Sequence, residues 1–534
     1  MKRVKKFLSA LVAIMMVATM MTTNVNGLDV NASFVQNNDT LNGYGYFDKE
    51  VDQFETYSKV EGTAGSYTSL ASKIYKPVSG DTLIVVFHGN GEGGVEGNCN
   101  NYAQLAANRL AVTYISDDIQ SAFKGAYVLA FQAPDYWYND YTSQAKAIID
   151  KAVSEFGIKQ IFISGLSAGG LMSERMLATY GDFFDGALFS CAAIAKNNQY
   201  VEGLGGDYEN ATEFLDEGDQ HTDGKKFMKP SDFDTYIENY RSWLDDIAKS
   251  NVPIFMVHCY YDTTIYYRWS QLAYEHIKSY REKNNLDGDI YCGLIDDVNY
   301  GDERFSQHWS WIKMLNGDVY ASTDSDLDTI SWFKSLSAST NAYQPKTYTN
   351  PTAGASDQEN TYNFSLIGQV YDDGQKVNAI EIDLNDAKVD ASKLTPEMFK
   401  VTGYNEDASG LIENGAGNFG SKDNPEKMEI SSVSVNEAGN IVLTFSKPIA
   451  TLNWNGDTSR NLATSFVVSI EPITLPMIDE TDSKPVTPVE DNKNQMTDTK
   501  VTSVKTGDDC NLYLYSGLMV LTVLSLTVLK KRYN

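Results

Sequence analysis

Residues 160–170 read QIFISGLSAGG, and this stretch decides the fold. The apolar run Gln160–Ser164 is typical of a strand that is buried on both faces of a parallel sheet. It leads into Gly165-Leu166-Ser167-Ala168-Gly169, and Gly170–Tyr180 then has the apolar periodicity of a helix. Small residues on both sides of a serine permit the strained strand-to-helix turn that exposes a nucleophile. The motif therefore predicts that Ser167 is a nucleophile at the end of a central strand.

The same alternation of short apolar runs and amphipathic stretches extends in both directions, from Asp81 to Leu336. We expect strands at Thr82–Phe87, Ala126–Phe131, Gln160–Ser164, Ala187–Ala193, Pro253–His258 and Asp289–Ile295. We expect helices at Ser143–Phe156, Gly170–Tyr180 and Trp269–Tyr280. This alternation predicts an α/β fold, with a mostly parallel sheet and helices on both faces.

A nucleophilic serine needs a general base, and the sequence offers five histidines: His88, His221, His258, His276 and His308. His308 lies in a loop after the last predicted strand, where a base would follow the nucleophile and the acid in chain order. We therefore predict His308 as the base. The acid should follow a late strand, and Asp262 comes directly after Pro253–His258, while Asp296 and Asp297 remain alternatives.

A second element precedes the serine in the chain. His88-Gly89-Asn90-Gly91 follows the predicted strand Thr82–Phe87. We expect the backbone N–H of Asn90 to pair with that of Ala168, the residue after the nucleophile, and to form an oxyanion hole. His88 itself is interpreted as a structural hydrogen-bonding residue.

Together, these residues resemble the polyhydroxybutyrate-depolymerase/feruloyl-esterase and prolyl-oligopeptidase-like branches of the α/β-hydrolase superfamily, over roughly Asp81–Leu336. The resemblance implies a serine hydrolase that needs no cofactor or metal ion. Gly165-Leu-Ser-Ala-Gly-Gly170 is more similar to the esterase side, so we expect short-acyl or aryl (feruloyl-type) esters, free or linked to polysaccharide. A serine peptidase is the alternative, and a non-catalytic wall adhesin is the third possibility.

The chain is rich in aromatic residues, with 33 Tyr. The cluster at 135–141 follows a predicted strand, so we expect Trp137, together with Trp309 beside the predicted base, to stack against an aromatic or sugar-linked substrate. Packing of loop aromatics is the alternative interpretation.

After Leu336 the composition changes. Residues 337–362 are rich in Ser, Thr, Asn and Pro and predict a linker, whereas 363–474 shows strand alternation without helices and predicts a β-sandwich. Within it, Gly368–Leu384 followed by Phe399-Lys-Val401 resembles the Ig-like domain found beside the catalytic domain of some bacterial esterases. The catalytic domain is expected to span 28–336.

Two further expectations concern the boundaries of this domain. Residues 196–250 interrupt the alternation and predict an insertion, either a lid or an elaborated surface loop with a helix. We also expect that truncation after about Ser337 leaves an active catalytic domain.

The two ends predict export and attachment at the cell surface. Residues 1–27 have the basic, apolar and polar regions of a secretory signal, and 475–505 is expected to be an extended spacer through the wall. The segment 503–534 contains Thr506-Gly507, an apolar span at 512–529 and a basic tail, which together resemble a Gram-positive cell-wall sorting signal. The resemblance implies that a sortase cleaves between Thr506 and Gly507 and joins Thr506 to peptidoglycan. A retained membrane anchor is the alternative.

The charge and the cysteine spacing disfavour two classes of site, for nucleic acid and for a metal ion. The formal net charge is −28 and no basic patch is present, which disfavours nucleic-acid binding. Cys191, Cys259 and Cys292 lie in apolar, strand-like runs and are expected to be buried thiols. No Cys-x-x-Cys or His-x-x-x-His spacing predicts a metal site.

Overall fold

The computed structural model describes residues 27–37, 46–58, 70–94, 101–134, 137, 139–192, 212–214, 227–229, 233–322, 325–349, 354–405, 419–455 and 460–478. Outside these residues lie 1–26 of the predicted signal (1–27), 479–505 of the predicted spacer (475–505) and the whole predicted sorting signal (503–534). The predicted start of the spacer at 475 was wrong, because Leu475 and Met477 lie in a strand, Ile473–Ile478, and are buried in the core of the β-rich region. Of the part of the chain described, no helix is long and apolar enough to cross a membrane.

In chain order, the strands of the first half are β1 (Gly27–Gln36), β2 (Tyr46–Asp48), β3 (Phe54–Ser58), β4 (Ala71–Tyr75), β5 (Thr82–Phe87), β6 (Ala126–Gln132), β7 (Gln160–Leu166), β8 (Gly186–Ser190), β9 (Thr212–Phe214), β10 (Phe227–Lys229), β11 (Ile254–Cys259) and β12 (Ile290–Ile295). Those of the second half are β13 (Thr361–Tyr371), β14 (Gly374–Ile382), β15 (Val401–Asn405), β16 (Glu426–Met428), β17 (Ile430–Val435), β18 (Ile441–Ala450), β19 (Leu452–Asn455), β20 (Arg460–Ala463), β21 (Phe466–Ile470) and β22 (Ile473–Ile478). The helices are α1 (Ala103–Ala106), α2 (Leu110–Thr113), α3 (Asp117–Ala122), α4 (Thr142–Phe156), α5 (Ala168–Tyr180), α6 (Phe233–Lys249), α7 (Arg268–Asn284), α8 (Trp311–Leu315) and α9 (Thr329–Ser335).

The strands of the first half form an eight-stranded sheet in the order β12-β11-β8-β7-β5-β6-β4-β3. The six strands from β12 to β6 run parallel to one another. β4 and β3 continue the sheet antiparallel at one edge. The sheet is therefore mostly parallel, as predicted, and its strand order is α/β-hydrolase-like.

Successive residues of the central strands pack into two separate cores. In β5, Val85 packs into the core formed with α4, α5 and α7, whereas Val86 packs into the core formed with α1, α2, α8 and α9. Both residues are buried, because side chains alternate across a pleated sheet that helices cover on both faces. This arrangement explains why the central strands read as continuous apolar runs.

The helix α6 falls inside the stretch that was predicted to be an insertion. Its residues Tyr240, Leu244 and Ile247 are buried in the same core as α5 and α7. The boundary at 250 was therefore wrong, because the apolar face of α6 packs against α5 and α7 in this core and the helix leads into β11. The choice between a lid and a surface loop concerns residues before 233, most of which lie outside the described residues.

The second half is β-rich, as predicted. It contains a sheet in the order β17-β18-β14-β13-β1-β22, with β2 also paired to β13, and a three-stranded sheet β16-β15-β21. Residues of both sheets, such as Leu366, Ile380, Val401 and Val468, share one buried core. β19 and β20 form a separate hairpin.

The predicted start of the catalytic domain at residue 28 was wrong. β1 lies in the β-rich region, where it runs parallel to β13 and antiparallel to β22. The alternation of Val30, Ala32 and Phe34 with polar neighbours gives it one apolar face, and that face packs into the β-rich core. The chain therefore begins in one region, builds the α/β sheet, and returns to complete the first region.

Candidate active site

Ser167 lies on the turn between β7 and α5, and its backbone is strained. Its φ is 52° and its ψ is −117°, a combination that L-residues rarely adopt. The flanking glycines allow the turn to pack closely. A Cβ built on Gly165 would lie 2.3 Å from the Gly169 carbonyl oxygen, and one on Gly169 would lie 2.0 Å from that of Phe87. Only glycine fits at these two positions, which explains the sequence of the motif.

The predicted triad residues are brought together by the fold. The Ser167 hydroxyl is 2.9 Å from His308 Nε2, and His308 Nδ1 is 2.7 Å from Asp262 Oδ2. These contacts are consistent with the tautomer in which Ser167 donates to Nε2 and Nδ1–H donates to Asp262. All three residues are buried, with exposed fractions of 4% for Ser167, 9% for His308 and 2% for Asp262.

The other candidate acids and bases are placed elsewhere. Asp296 and Asp297 are exposed, and it is Asp262 that bonds His308 Nδ1. His276 Nε2 is paired with Asp245 Oδ1 at 2.7 Å, away from the serine. His221 lies outside the described residues.

Asp262 is held by more groups than the sequence indicated. Its Oδ1 accepts the N–H groups of Thr264 and Ile265 at 2.7 and 2.9 Å, while Oδ2 accepts from both His308 and His258. His258 Nε2 lies 3.0 Å from Oδ2 and 2.9 Å from the Ile265 carbonyl, so this nitrogen carries the proton. His258 is therefore a second histidine that hydrogen-bonds to Asp262. The sequence signal for this contact is the position of His258 four residues before Asp262.

This arrangement shifts the pKa values of Asp262 and His308 in opposite directions. Burial by itself raises the pKa of Asp262, but the neighbouring His308 and the hydrogen bonds from His258 and His308 outweigh it and hold the pKa well below its usual range. Burial by itself lowers the pKa of His308, but the Asp262 carboxylate and the adjacent Cys191 thiol outweigh it and raise the pKa well above 6.5. Asp262 therefore stays ionised and stabilises a protonated His308.

The predicted oxyanion donors lie at the same edge of the sheet. Ala168 is the first residue of α5, and Asn90 is the first residue of a 3₁₀ turn, Asn90–Glu92, after β5. As first residues, neither has an acceptor for its N–H within its own element. β5 and β7 are paired, with Phe87 opposite Gly165, so the two N–H groups follow the carboxyl ends of neighbouring strands.

His88 has the structural role expected of it. It is buried, its Nε2 accepts the Ala133 N–H at 2.9 Å, and its Nδ1 donates to the Gly89 carbonyl. Burial lowers the pKa of His88 to about 3, so the ring is neutral and fixed. The residue connects the loop after β5 to the end of β6.

The two predicted aromatic contacts differ in outcome. Trp137 is fully buried, and its indole N–H donates to the His88 carbonyl at 2.9 Å. Its ring packs against Phe87 and Tyr141, so the prediction that it stacks against substrate was wrong. Trp309 is half-buried and follows the base directly, with its ring 5.8 Å from that of Trp311.

Ligand atoms of Cys191, Asp262 and His308 lie within 4.8 Å of one another, a spacing that could accommodate a metal ion. Asp262 and His308 already use these atoms to bond each other and Ser167, so a metal ion would displace the contacts that prepare the serine. The Asp262 and His308 atoms therefore belong to the hydrogen-bonded chain that ends at Ser167. Cys191 and Cys259 are buried free thiols, as expected, and Cys292 is a partly buried one.

Comparison with protein families identifies one match, to a family described as an esterase Ig-like N-terminal domain, over residues 363–448. This match agrees with the predicted resemblance of the β-rich region. No curated protein sequence matches the chain.

Solved structures show weak similarity. The crystal structure of a thermostable esterase has 19% sequence identity and a TM-score of 0.35, and the match covers 50% of this chain and 61% of that chain. An acylaminoacyl peptidase from Pyrococcus horikoshii has 15% identity and a TM-score of 0.29, with coverage of 48% and 37%. A monoacylglycerol lipase from Paleococcus ferrophilus has 15% identity and a TM-score of 0.30, with coverage of 51% and 100%. The chain thus spans less than two thirds of the first two structures, and the strand order and site geometry carry the fold assignment.

Proposed function

We propose that this chain is a serine hydrolase that cleaves carboxyl esters through an acyl-enzyme intermediate on Ser167. The observation that carries the proposal is the continuous chain of hydrogen bonds from Ser167 through His308 to Asp262, at 2.9 and 2.7 Å. A serine hydroxyl becomes a nucleophile only when a base accepts its proton as it attacks, and His308 Nε2 is within reach of that proton.

The first half-reaction follows from this geometry. Ser167 Oγ attacks the ester carbonyl while its proton passes to His308 Nε2, and Asp262 stabilises the imidazolium through Nδ1–H. The carbonyl oxygen becomes an oxyanion, which the N–H groups of Asn90 and Ala168 stabilise. His308 then gives its proton to the leaving alkoxide, and the acyl group stays on Ser167.

The second half-reaction repeats these steps with water. His308 accepts a proton from water as the water attacks the acyl carbon, and Ser167 leaves with that proton. The products are a carboxylic acid and the regenerated hydroxyl. Every proton in the cycle is held by His308, so a single histidine serves both halves.

The proposed substrate class rests on two further observations. The family that matches residues 363–448 is described as an esterase domain, which supports an ester over an amide. Half-buried Trp309, next to the base, supports short-acyl or aryl esters, including feruloyl esters on polysaccharide. A serine peptidase would use the same three residues, so substrate profiling has to separate the two activities.

A panel of substrates tests the proposal. The purified chain should hydrolyse p-nitrophenyl and feruloyl esters, and a fluorophosphonate probe should label Ser167. Ser167→Ala should lose both ester hydrolysis and probe labelling. Ser154→Ala, at an exposed serine in α4, should keep both. Labelling that persists in Ser167→Ala would refute the assignment, and hydrolysis confined to aminoacyl anilides would favour the peptidase.

We also propose that the enzyme acts at the surface of a Gram-positive-type bacterium. The features of residues 503–534 support a sortase reaction that joins Thr506 to peptidoglycan. The wall would then present the enzyme to esters outside the cell. A retained span at 512–529 is the competing attachment.

A further inference from the structure

The hairpin of β19 and β20, which belongs to the β-rich region, contacts the loop that supplies a predicted oxyanion donor. Arg460, the first residue of β20, is buried, with only 4% of its surface exposed. Its Nε donates to the Gly94 carbonyl at 2.6 Å, and its Nη1 donates to the Asn90 carbonyl at 3.3 Å. One guanidinium group therefore joins both ends of the loop 90–94.

These contacts bear on the orientation of the Asn90 backbone. The Asn90 carbonyl also accepts the Gly93 N–H at 3.5 Å, a long contact that closes the turn only weakly. The planar fork of arginine holds two carbonyl oxygens at once, with a charge that water cannot screen at a buried site. Arg460 thus holds the peptide plane that follows Asn90 and restrains the backbone of this residue, whose N–H belongs to the preceding plane.

The hairpin also touches the loop backbone directly. A Cβ built on Gly91 would lie 2.6 Å from Asn461 Nδ2 and 2.8 Å from the Trp454 ring. Opposite this contact, the loop is attached to the α/β sheet, because Gly94 N–H donates to the Ala133 carbonyl at 2.7 Å. The loop is therefore clamped between the hairpin and the end of β6.

The loop contains a buried acid that complements Arg460. Burial raises the pKa of Glu92 to about 7, although the charge of Arg460 acts to lower it. Asn461 Nδ2 is 3.5 Å from Glu92 Oε1. A buried guanidinium with two carbonyls and a nearby carboxyl group is well compensated, so the clamp is a stable part of the structure.

We propose that Arg460 is a positioning residue for the oxyanion hole, so that the β-rich region completes an active site whose reacting groups all lie in the α/β region. The inference rests on the proposed function, because it assumes that the Asn90 N–H stabilises an oxyanion. Arg460 does not touch the substrate. It acts through the Asn90 peptide, and its loss should weaken transition-state stabilisation more than substrate binding.

The test uses the full-length chain and four variants. Arg460→Ala removes the clamp, Arg460→Lys keeps the charge but loses the fork, and Gly91→Ala disturbs the same contact from the side of the loop. Lys400→Ala, which breaks an exposed ion pair with Glu471 in the β-rich region, is the matched control. We measure kcat and KM with p-nitrophenyl acetate, the inhibition constant of a trifluoromethyl ketone that forms an oxyanion on Ser167, and the far-UV spectrum.

Removal of an oxyanion donor costs roughly 100- to 1,000-fold, so loss of its positioning in Arg460→Ala should lower kcat by about 10- to 100-fold, with little change in KM. The ketone should bind more weakly by a similar factor, and added guanidinium ion should restore part of kcat. Arg460→Lys should be intermediate, Gly91→Ala should resemble Arg460→Ala, and Lys400→Ala should match the unmodified chain. If Arg460→Ala fails to fold, Arg460→Lys and Gly91→Ala give the same comparison.

Two outcomes would overturn the proposal. The first is a kcat within two-fold of the unmodified chain in the Arg460 and Gly91 variants. The second is a lower kcat with an unchanged inhibition constant of the ketone, because a smaller fraction of folded enzyme with an intact oxyanion hole would give that pattern. A chain that neither hydrolyses esters nor reacts with fluorophosphonate at Ser167 would instead overturn the proposed function, and this inference with it.

Discussion

The strained turn at Ser167 makes a prediction about stability that is separate from activity. Ser167→Ala and Ser167→Gly both remove the hydroxyl and its contact with His308, so the two variants differ only by the Cβ atom. At φ 52° and ψ −117° a Cβ costs on the order of 1–3 kcal/mol. Glycine loses more backbone entropy on folding, which costs about 0.5–1 kcal/mol. The difference predicts that Ser167→Gly is more stable than Ser167→Ala by about 1 kcal/mol.

The assay is urea unfolding of both variants, monitored by tryptophan fluorescence. The free energies of unfolding are compared with one shared value for their dependence on urea concentration. The matched control is Ala178→Gly in α5, where the backbone is helical and glycine should lower the free energy of unfolding by about 1 kcal/mol. The substitution to glycine should thus raise the free energy of unfolding at the turn and lower it in the helix that follows. If Ser167→Gly were no more stable than Ser167→Ala, strain at the nucleophile would not explain the turn.

Three further predictions concern pH and location. Asp262 raises the pKa of His308, and only the neutral ring accepts a proton, so kcat/KM should rise with pH with an apparent pKa above 6.5. Asp262→Asn should lower this apparent pKa. An unchanged apparent pKa would contradict the assignment of Asp262 as the partner of His308. Burial raises the pKa of Glu174 in α5 from 4.5 to about 8, so this carboxyl lowers the free energy of unfolding increasingly between pH 4.5 and 8. In urea unfolding, Glu174→Gln should raise the free energy of unfolding by about 3 kcal/mol at pH 7 and by almost nothing at pH 4. Equal increases at both pH values would show that burial of the charge is not the cause. Mass spectrometry of wall-digested cells should find a C-terminal peptide that ends at Thr506 with a wall fragment, whereas a peptide that continues through Gly507 would favour the membrane anchor.

The catalytic constellation was predictable because its signals are local. Gly165 and Gly169 flank Ser167 within five residues, and the steric contacts of those glycines leave little freedom in the sequence. His308 and Asp262 are indicated by their positions after predicted strands, since the carboxyl ends of parallel strands meet at one edge of a sheet. The burial of Trp137 was not predictable, because an aromatic residue in a loop reads the same whether it packs inward or faces a substrate.

The links between the two regions were missed because their signals are not local. β1 has the alternation of a strand, but its partners β13 and β22 lie more than three hundred residues further along the chain. Arg460 is the first residue of a short strand, and no sequence pattern near it indicates that its side chain reaches the loop 90–94. Such pairings depend on the packing of the whole chain.

These links reverse the expectation for truncation after Ser337. The shortened chain would keep β1 without β13 and β22, and would expose the apolar face that Ala32 and its neighbours bury in the β-rich core. It would also lose Arg460, and with it the clamp on the Asn90 loop. We therefore expect little soluble protein, and at least a ten-fold lower kcat in any that is recovered, by the positioning loss estimated above. A chain cut after Glu480, which keeps the whole compact unit, is the control and should keep full activity. Soluble protein with an unchanged kcat after the cut at Ser337 would show that the α/β sheet and its loops hold the site without the β-rich region.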